Sequence, residues 1–496
     1  MSATDLSPPI THADGRTVHK GLALMVIAIS QLMVVLDATI VNVALEKIQN
    51  ALAFSPADLS WVVTGYTLTF GGFLLLGGKL ADRFGRRRIF MIGAVLFAVA
   101  SFLGGIANTQ GLLISARLLQ GLGGALMSPA ALSLLTVVFK EGEERNKALG
   151  VFSAITAGGA ALGLILGGLL TEYLNWRFVL FVNIPIAAFA VFGALRFLPE
   201  SKDEKATGFD VPGALLATTG LISLVFGLVK LNDKTMSTGL KAGTFALAVV
   251  LLGAFVVVQL RSRSPLVPFR LFTNKSLLGA DIGALFVGCG IFAMFFFLSL
   301  WMQVANGYSP IKTGFAFLPM TVLIGASAGI GATLLGKVGP RPILITGMTL
   351  AGSGMLLLGL RLETHSSYAS VILPSLALIA SGMGMTFVAL TSSANAGVPQ
   401  EDAGIASALL NAGQQVGGAL GLAILTAVST SRTDALLAGA PGNRAPSFLL
   451  DALVSGWANG FLVAAGFLIL AGVIMGSLVR VSKEAAAQVL KEAVPA

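Results

Sequence analysis

The chain has 496 residues, 55% hydrophobic and only 11% charged, with a mean hydropathy of +0.87 and a net charge of +9. A water-soluble domain carries about 25% charged residues because its surface must be hydrated, and this composition excludes one. The lone cysteine, Cys289, excludes a disulfide framework, and the three histidines (His12, His19, His365) form no metal-ligand cluster.

Residues 1–20 read as a polar tail without the charged-then-apolar order of a cleavable leader, so the first span is expected to be retained. Fourteen apolar segments follow, at 21–44, 58–78, 88–107, 110–136, 147–171, 178–198, 211–230, 241–260, 278–303, 314–336, 341–360, 368–391, 403–428 and 455–480. Runs near 20 residues match a hydrocarbon layer about 30 Å thick. The predicted fold is an all-α integral membrane protein in a lipid bilayer. A six-helix bundle over 21–198 is followed by a linker with two extra spans over 199–275. A second six-helix bundle over 276–480 and a tail over 481–496 complete it. Sixty glycines suit helices that pack closely in lipid.

With both tails placed in the cytoplasm, 22 of the 32 Lys and Arg residues fall in inside segments and 9 outside. Arg117 alone remains within a span. The imbalance follows the positive-inside rule for a multi-pass plasma-membrane protein and accounts for the net charge without nucleic acid as a partner.

The halves repeat. Gly85-Arg86-Arg87-Arg88-Ile89 returns as Gly339-Pro340-Arg341-Pro342-Ile343, and Gly121-x-Gly123 as Gly382-x-Gly384. Gly158-Gly159-Ala160-Ala161-Leu162-Gly163 returns as Gly417-Gly418-Ala419-Leu420-Gly421, and all offsets lie between 254 and 261 residues. Three matches in register point to two pseudo-symmetric bundles around a central site.

Charges inside spans are costly and mark functional candidates. Asp37 lies seven residues before the outer end of the first span, and Arg117 seven after the outer start of the fourth. Each is therefore about 10 Å deep at 1.5 Å per residue, level enough to pair. Burial disfavours a charged carboxylate and a guanidinium favours it, so a paired Asp37 can exchange a proton when its surroundings change. A static ion pair that fixes helix packing is the alternative.

Between the second and third spans runs Gly77-Gly78-Lys79-Leu80-Ala81-Asp82-Arg83-Phe84-Gly85-Arg86-Arg87-Arg88. Asp82 can cap a helix N-terminus or pair with a nearby Arg, forming a latch; topological anchoring by basic residues is the plainer reading. Asn42, Tyr66, Gln120, Trp301, Asn411 and Gln414 are candidates to line a substrate cavity. Asp281, at the inner start of the ninth span, either binds a cationic substrate or serves as a helix-start acid. Glu46, Asp58 and Glu363 read as solvated outer-end acids.

The 77–88 segment resembles the signature loop of the major facilitator superfamily, G-x-L-A-D-R-x-G-R-(R/K), with Gly78, Asp82, Arg83, Gly85 and Arg86 on its fixed positions. Four further stretches resemble the superfamily's fourteen-span drug:proton antiporter family. They are Leu36-Asp37-Ala38-Thr39-Ile40-Val41-Asn42-Val43-Ala44-Leu45, Arg117-Leu118-Leu119-Gln120-Gly121, Asn175-Trp176-Arg177 with Asn183-Ile184-Pro185, and Gln303 to Pro310. The resemblance implies proton coupling at Asp37 with Arg117 as its partner. Two departures stand out: Glu46 where Pro is usual after span 1, and Leu164 where the antiporter motif of span 5 has Pro. That motif's glycines remain, at Gly159, Gly163, Gly167 and Gly168, and are expected to form a close-packing face matched by Gly325 and Gly329 of the other half.

No phosphate-binding loop, hydrolase elbow or metal cluster is present, so ATP hydrolysis and enzymatic chemistry are not expected, nor is a cofactor. The expected function is proton-coupled efflux of small hydrophobic or cationic drugs and antibiotics by alternating access. A dedicated exporter of an endogenous metabolite or self-made antibiotic is the alternative, and Leu164 leaves uptake by symport open.

Overall fold

The computed structural model describes residues 10–11, 17–203, 208–399, 402–440, 442, 445–483 and 486. His12, and four of the basic residues counted above (Arg16, Lys205, Arg444, Lys491), lie outside them.

Fourteen helices are long and apolar enough to cross a bilayer. Spans 1 to 6 are Lys20–Leu52, Asp58–Phe84, Arg86–Gly105, Gln110–Val138, Glu143–Tyr173 and Phe178–Phe197. Spans 7 and 8 are Val211–Val229 and Thr238–Arg261. Spans 9 to 14 are Lys275–Ala305, Pro310–Val338, Pro340–Arg361, Tyr368–Asn395, Ala403–Gly439 and Pro446–Leu478. In lipid a helix satisfies its own backbone, and only its ends need partners. Side chains supply several: Thr109, Asp210, Ser237, Asn274, Ser309 and Ser367 each accept a backbone N–H at a helix start. Spans 13 and 14 overrun the predicted 403–428 and 455–480 toward each other. Nothing in the polar turns around Arg432 and Asp434 breaks a helix once they leave the apolar layer.

The two halves pack alike. Span 1 lies on span 5, span 2 on span 4, span 3 on spans 4 and 6; span 9 lies on span 13, span 10 on span 12, span 11 on spans 12 and 14. The glycine crossings match too. A Cβ on Gly93 would stand 2.7 Å from the Gly123 carbonyl, and one on Gly347 2.7 Å from the Gly382 carbonyl. A side chain at any of these would force the backbones apart. Span 7 sits against spans 2 and 13, and span 8 packs on span 7 with most of its apolar surface outward.

Among the described residues, the hydrogen bonds that cross between the six-span halves lie at the end opposite the basic 77–88 loop. Ser299 Oγ donates to the Asn42 carbonyl at 2.7 Å, Gln303 Nε2 to the Val43 carbonyl at 3.1 Å, and the Ile311 amide to Glu172 at 2.9 Å. At the basic end the seam is open: Gly150 and Gly158 of span 5 and Gly325 and Gly329 of span 10 face empty space.

That opening corrects one expectation. The glycine face of span 5 does not meet Gly325 and Gly329. Cβ atoms on Gly159, Gly163 and Gly167 would press on Leu32, the Leu36 carbonyl and the Ile40 carbonyl of span 1, and only Gly168 meets span 10, at Pro310 and Ile311. Buried Leu164 lies beside it, its carbonyl against Gly314. The usual proline site is thus part of the closed opposite end.

Candidate functional site

Asp37 and Arg117 meet in the middle of the first half. Arg117 Nη1 donates to Asp37 Oδ2 at 2.5 Å, and the side chains are 1% and 0% exposed. Two more donors reach Asp37 Oδ1: Gln120 Nε2 at 2.9 Å and Asn183 Nδ2 at 2.8 Å. Arg117 directs Nε to the Val62 carbonyl at 2.8 Å and shares Nη1 with Gln120 Oε1 at 3.0 Å. Gln120 donates also to Ser101 Oγ at 2.8 Å. The guanidinium stacks 4.7 Å from the Tyr66 ring centroid, and the Tyr66 hydroxyl donates to the Val34 carbonyl at 3.1 Å. Spans 1, 2, 3, 4 and 6 are thus joined through one carboxylate.

Local sequence builds the cluster. A Cβ on Gly121 would come within 2.2 Å of the Tyr66 carbonyl, so only glycine lets span 4 approach span 2 closely enough for Arg117 to reach Val62. Pro185 has no N–H to donate, and span 6 is interrupted between Phe181 and Asn183, where Asn183 turns toward Asp37. A buried ion pair offsets its desolvation only when further hydrogen bonds reach it, and here both Asp37 oxygens and the Arg117 Nε and Nη1 are bonded.

Several candidates fall elsewhere than expected. Tyr66 and Gln120 belong to this buried network, not to a cavity lining. Trp301 is fully buried in the second half, its indole N–H bonded to the Glu363 carbonyl at 2.9 Å. Asn42 bonds to its own helix and offers its carbonyl to Ser299 across the closed seam. Asn411 is exposed and Gln414 half-buried on span 13, so these two stay available to a cavity open at the basic end.

Asp281 is no helix-start acid. Span 9 begins at Lys275, where Asn274 accepts the amides of Ser276 and Leu277. Asp281 therefore stands nearly two turns inside, about 9 Å along the helix. Both its carboxylate oxygens are buried and without a hydrogen-bond partner. One helix away, Gln415 Oε1 is likewise buried and unpartnered.

In the 77–88 loop Asp82 pairs with Arg86, Oδ1 accepting from Nε at 3.0 Å and Nη2 at 2.9 Å, and its carbonyl accepts the Asp203 amide at 2.9 Å. The capping role falls to Glu200, which the sequence did not single out: its carboxylate accepts the Arg87 and Arg88 amides at 3.1 and 3.2 Å. Gly85 has φ +110°, and a Cβ there would lie 2.7 Å from the Glu200 carboxylate, so glycine is required twice over. Gly77, more than Gly78, makes the close approach: its Cβ would stand 2.1 Å from the Ala125 carbonyl, against 3.7 Å from Pro129 for Gly78. Arg83 is exposed. The repeat in the second half carries Gly336 where the first has Asp82, so the acid is particular to one loop.

Comparison with known proteins decides the family. The sequence profile of the Major Facilitator Superfamily matches residues 27–422. The chain belongs to the major facilitator superfamily. The puromycin resistance protein pur8 of Streptomyces alboniger is 41% identical over 467 residues, covering 93% of this chain and 92% of the relative. The cephamycin export protein CmcT of Amycolatopsis lactamdurans is 38% identical over 415 residues, covering 83% and 85%. Among solved structures, a bacterial homologue of the human lysosomal transporter Spinster, crystallised inward-facing and unoccupied, aligns with TM-score 0.65 and 18% identity over 96% of this chain and 99% of that one. As a major facilitator protein, the chain has its signature loop at the open end and its buried carboxylate in the first bundle.

Proposed function

We propose that the chain is a proton-coupled exporter of small hydrophobic or cationic compounds, residing in the plasma membrane with both termini cytoplasmic. The observation that carries this reading is a solvent-excluded Asp37 held by three donors inside a bundle that is open at its basic end. The names of the relatives, for resistance to or export of single antibiotics, support a narrower second reading, a dedicated exporter of one such compound.

In the cycle we propose, the basic end is cytoplasmic and this conformer is open to the cell interior. Ionised Asp37 holds Arg117, Gln120 and Asn183, and in that form the protein carries substrate outward. At the outer face a proton reaches Asp37, removes the charge to which the donors are bonded, and loosens spans 1, 3, 4 and 6 from one another. The protonated form returns empty, and substrate binding at the inner face favours proton release. Substrate and proton thus bias the two conformers in opposite senses, which links their fluxes. Asp82, Arg83 and Arg86 form a latch that engages the second half when the basic end closes; here Asp82 holds Arg86 instead. The test is accumulation: cells that express the chain should retain less of a fluorescent lipophilic cation, and a protonophore should erase the difference. A difference that survives the protonophore contradicts proton coupling.

Asp281 is the substrate-side carboxylate in this reading. An unpartnered buried carboxylate at that depth is costly unless a cation or a proton joins it, and a protonated amine or quaternary ammonium of the substrate would do so. The Asp281→Asn variant is expected to lose export of monovalent lipophilic cations about tenfold or more, the range of one desolvated charge contact. Export of uncharged substrates should fall less than twofold. Equal loss of both classes in efflux assays would remove Asp281 from recognition.

A further inference from the structure

We propose a second ligand site, for an organic monocation with an apolar body, in a cleft of about 560 Å³ at the end opposite the basic loops. That volume lies in the range of small-molecule pockets. Neither Asp37 nor Asp281 lines the cleft, which is not part of the cycle above.

Its apolar wall is Phe296, Phe297 and Leu300 of span 9 with Leu453 and Trp457 of span 14. Phe296 and Phe297 stand edge to face, ring centroids 5.4 Å apart. Aromatic faces of this kind attract cations as well as apolar groups. Its polar rim carries three carboxylates, Asp58, Asp233 and Asp434, against one amine, Lys230. Lys230 already bridges two of them, at 2.9 Å to Asp58 and 3.2 Å to Asp233. Burial lowers the Lys230 pKa, but the hydrogen bonds and charges of Asp58 and Asp233 outweigh it and raise the value. Bonds from Thr235 and Lys230 draw the half-buried Asp233 down to about 2. Lys230 and Asp233 therefore stay charged near neutral pH. Asp434 makes no hydrogen bond or ion pair among the described residues, and the buried Thr426 hydroxyl in the same cleft is also unpartnered. The rim is thus left with net negative charge and free acceptors over an aromatic floor, the complement of a lipophilic cation.

The walls come from three parts of the chain. Gln49 and Asp58 belong to the first half, the floor to the second, and residues 229–235 to the turn between the extra spans. That turn ties the halves together, with Lys230 on Asp58 and Asn232 Nδ2 on the Ala427 carbonyl at 2.7 Å. Asp58, read from sequence as solvated, is a structural anchor here. Separation of the halves at this end takes the cleft apart, so an occupant opposes that separation and holds the conformer seen here.

Cys289 is the only cysteine and is buried, which permits a clean labelling test. Ser429→Cys places a thiol in the cleft, and Ser366→Cys places one on an exposed turn outside it. Intact cells are treated with a membrane-impermeant maleimide, with and without tetraphenylphosphonium. The cation is expected to slow labelling of Ser429→Cys at least fivefold and leave Ser366→Cys unchanged. Protection should disappear when Asp434→Asn is added and should not be given by the anion tetraphenylborate. Three results would each overturn the proposal: no labelling of Ser429→Cys while Ser366→Cys reacts, no protection, or protection that survives Asp434→Asn and so belongs to the central path.

Discussion

Asp37→Asn is expected to abolish gradient-driven export while leaving a folded protein in the membrane. Asparagine keeps the side chain's size and one acceptor, which can hold Gln120 and Asn183, while Arg117 loses its anion but keeps the Val62 carbonyl and Gln120 Oε1, so the five spans stay joined. What it loses is the ability to gain and release a proton, and with it the term that links proton to substrate. Coupling free energies between two sites commonly correspond to a 5–150-fold change in affinity, and a pH dependence of substrate affinity of about that size should vanish in the variant, with the substrate ratio no longer set by the proton gradient. Binding of substrate to the purified variant should persist. Full export by Asp37→Asn would move the coupling role to another residue.

Arg117→Ala should do something different: remove the protein itself. It leaves the fully buried Asp37 carboxylate stripped of its strongest donor and removes the second donor of the Val62 carbonyl. Breaking a buried pair by deleting one partner costs about 3–5 kcal/mol. Domain stabilities are commonly about 5–15 kcal/mol, so much of the variant should be lost to degradation. The double variant Asp37→Asn with Arg117→Ala removes the stranded charge and should restore membrane protein toward wild-type levels without restoring export. Immunoblots of membranes and thermal melts in detergent read the first effect, and efflux assays the second. A stable Arg117→Ala would show that the pair contributes little to the fold. A double variant no more abundant than Arg117→Ala would show that the stranded charge is not the cause.

Spans, repeat and the pairing of Asp37 with Arg117 were readable because each rests on a local or additive signal. Apolar runs mark spans one at a time, and equal distance from a span end puts two charges at one depth. The rest of the cluster depends on rotation of helices against one another, which hydropathy does not carry. Asn183 and Ser101 are isolated polar residues in apolar helices, and only packing shows that Asn183 faces Asp37 of span 1 and Ser101 faces Gln120 of span 4. Glu200 caps span 3 from 113 residues away, measured to Arg87. Tyr66 and Trp301 illustrate the converse, since an aromatic side chain in a span reads the same whether it faces a cavity or a core. Asp281 departs from its position in the apolar run because Asn274 starts span 9 earlier than that run implies, which moves the carboxylate from a solvated end into the helix body. Gly325 and Gly329 were assigned a partner by spacing, yet the seam is open where they lie in this conformer.

The coupling role of Asp37 is tested most directly by proton movement. Inverted vesicles containing the protein, with a pH-sensitive dye and an acid interior, receive a panel of lipophilic cations and antibiotics. Substrate-dependent proton release from wild-type vesicles, absent with Asp37→Asn, is the predicted result. Transport of substrate into the vesicles with no proton release, or with equal release by Asp37→Asn, would contradict it.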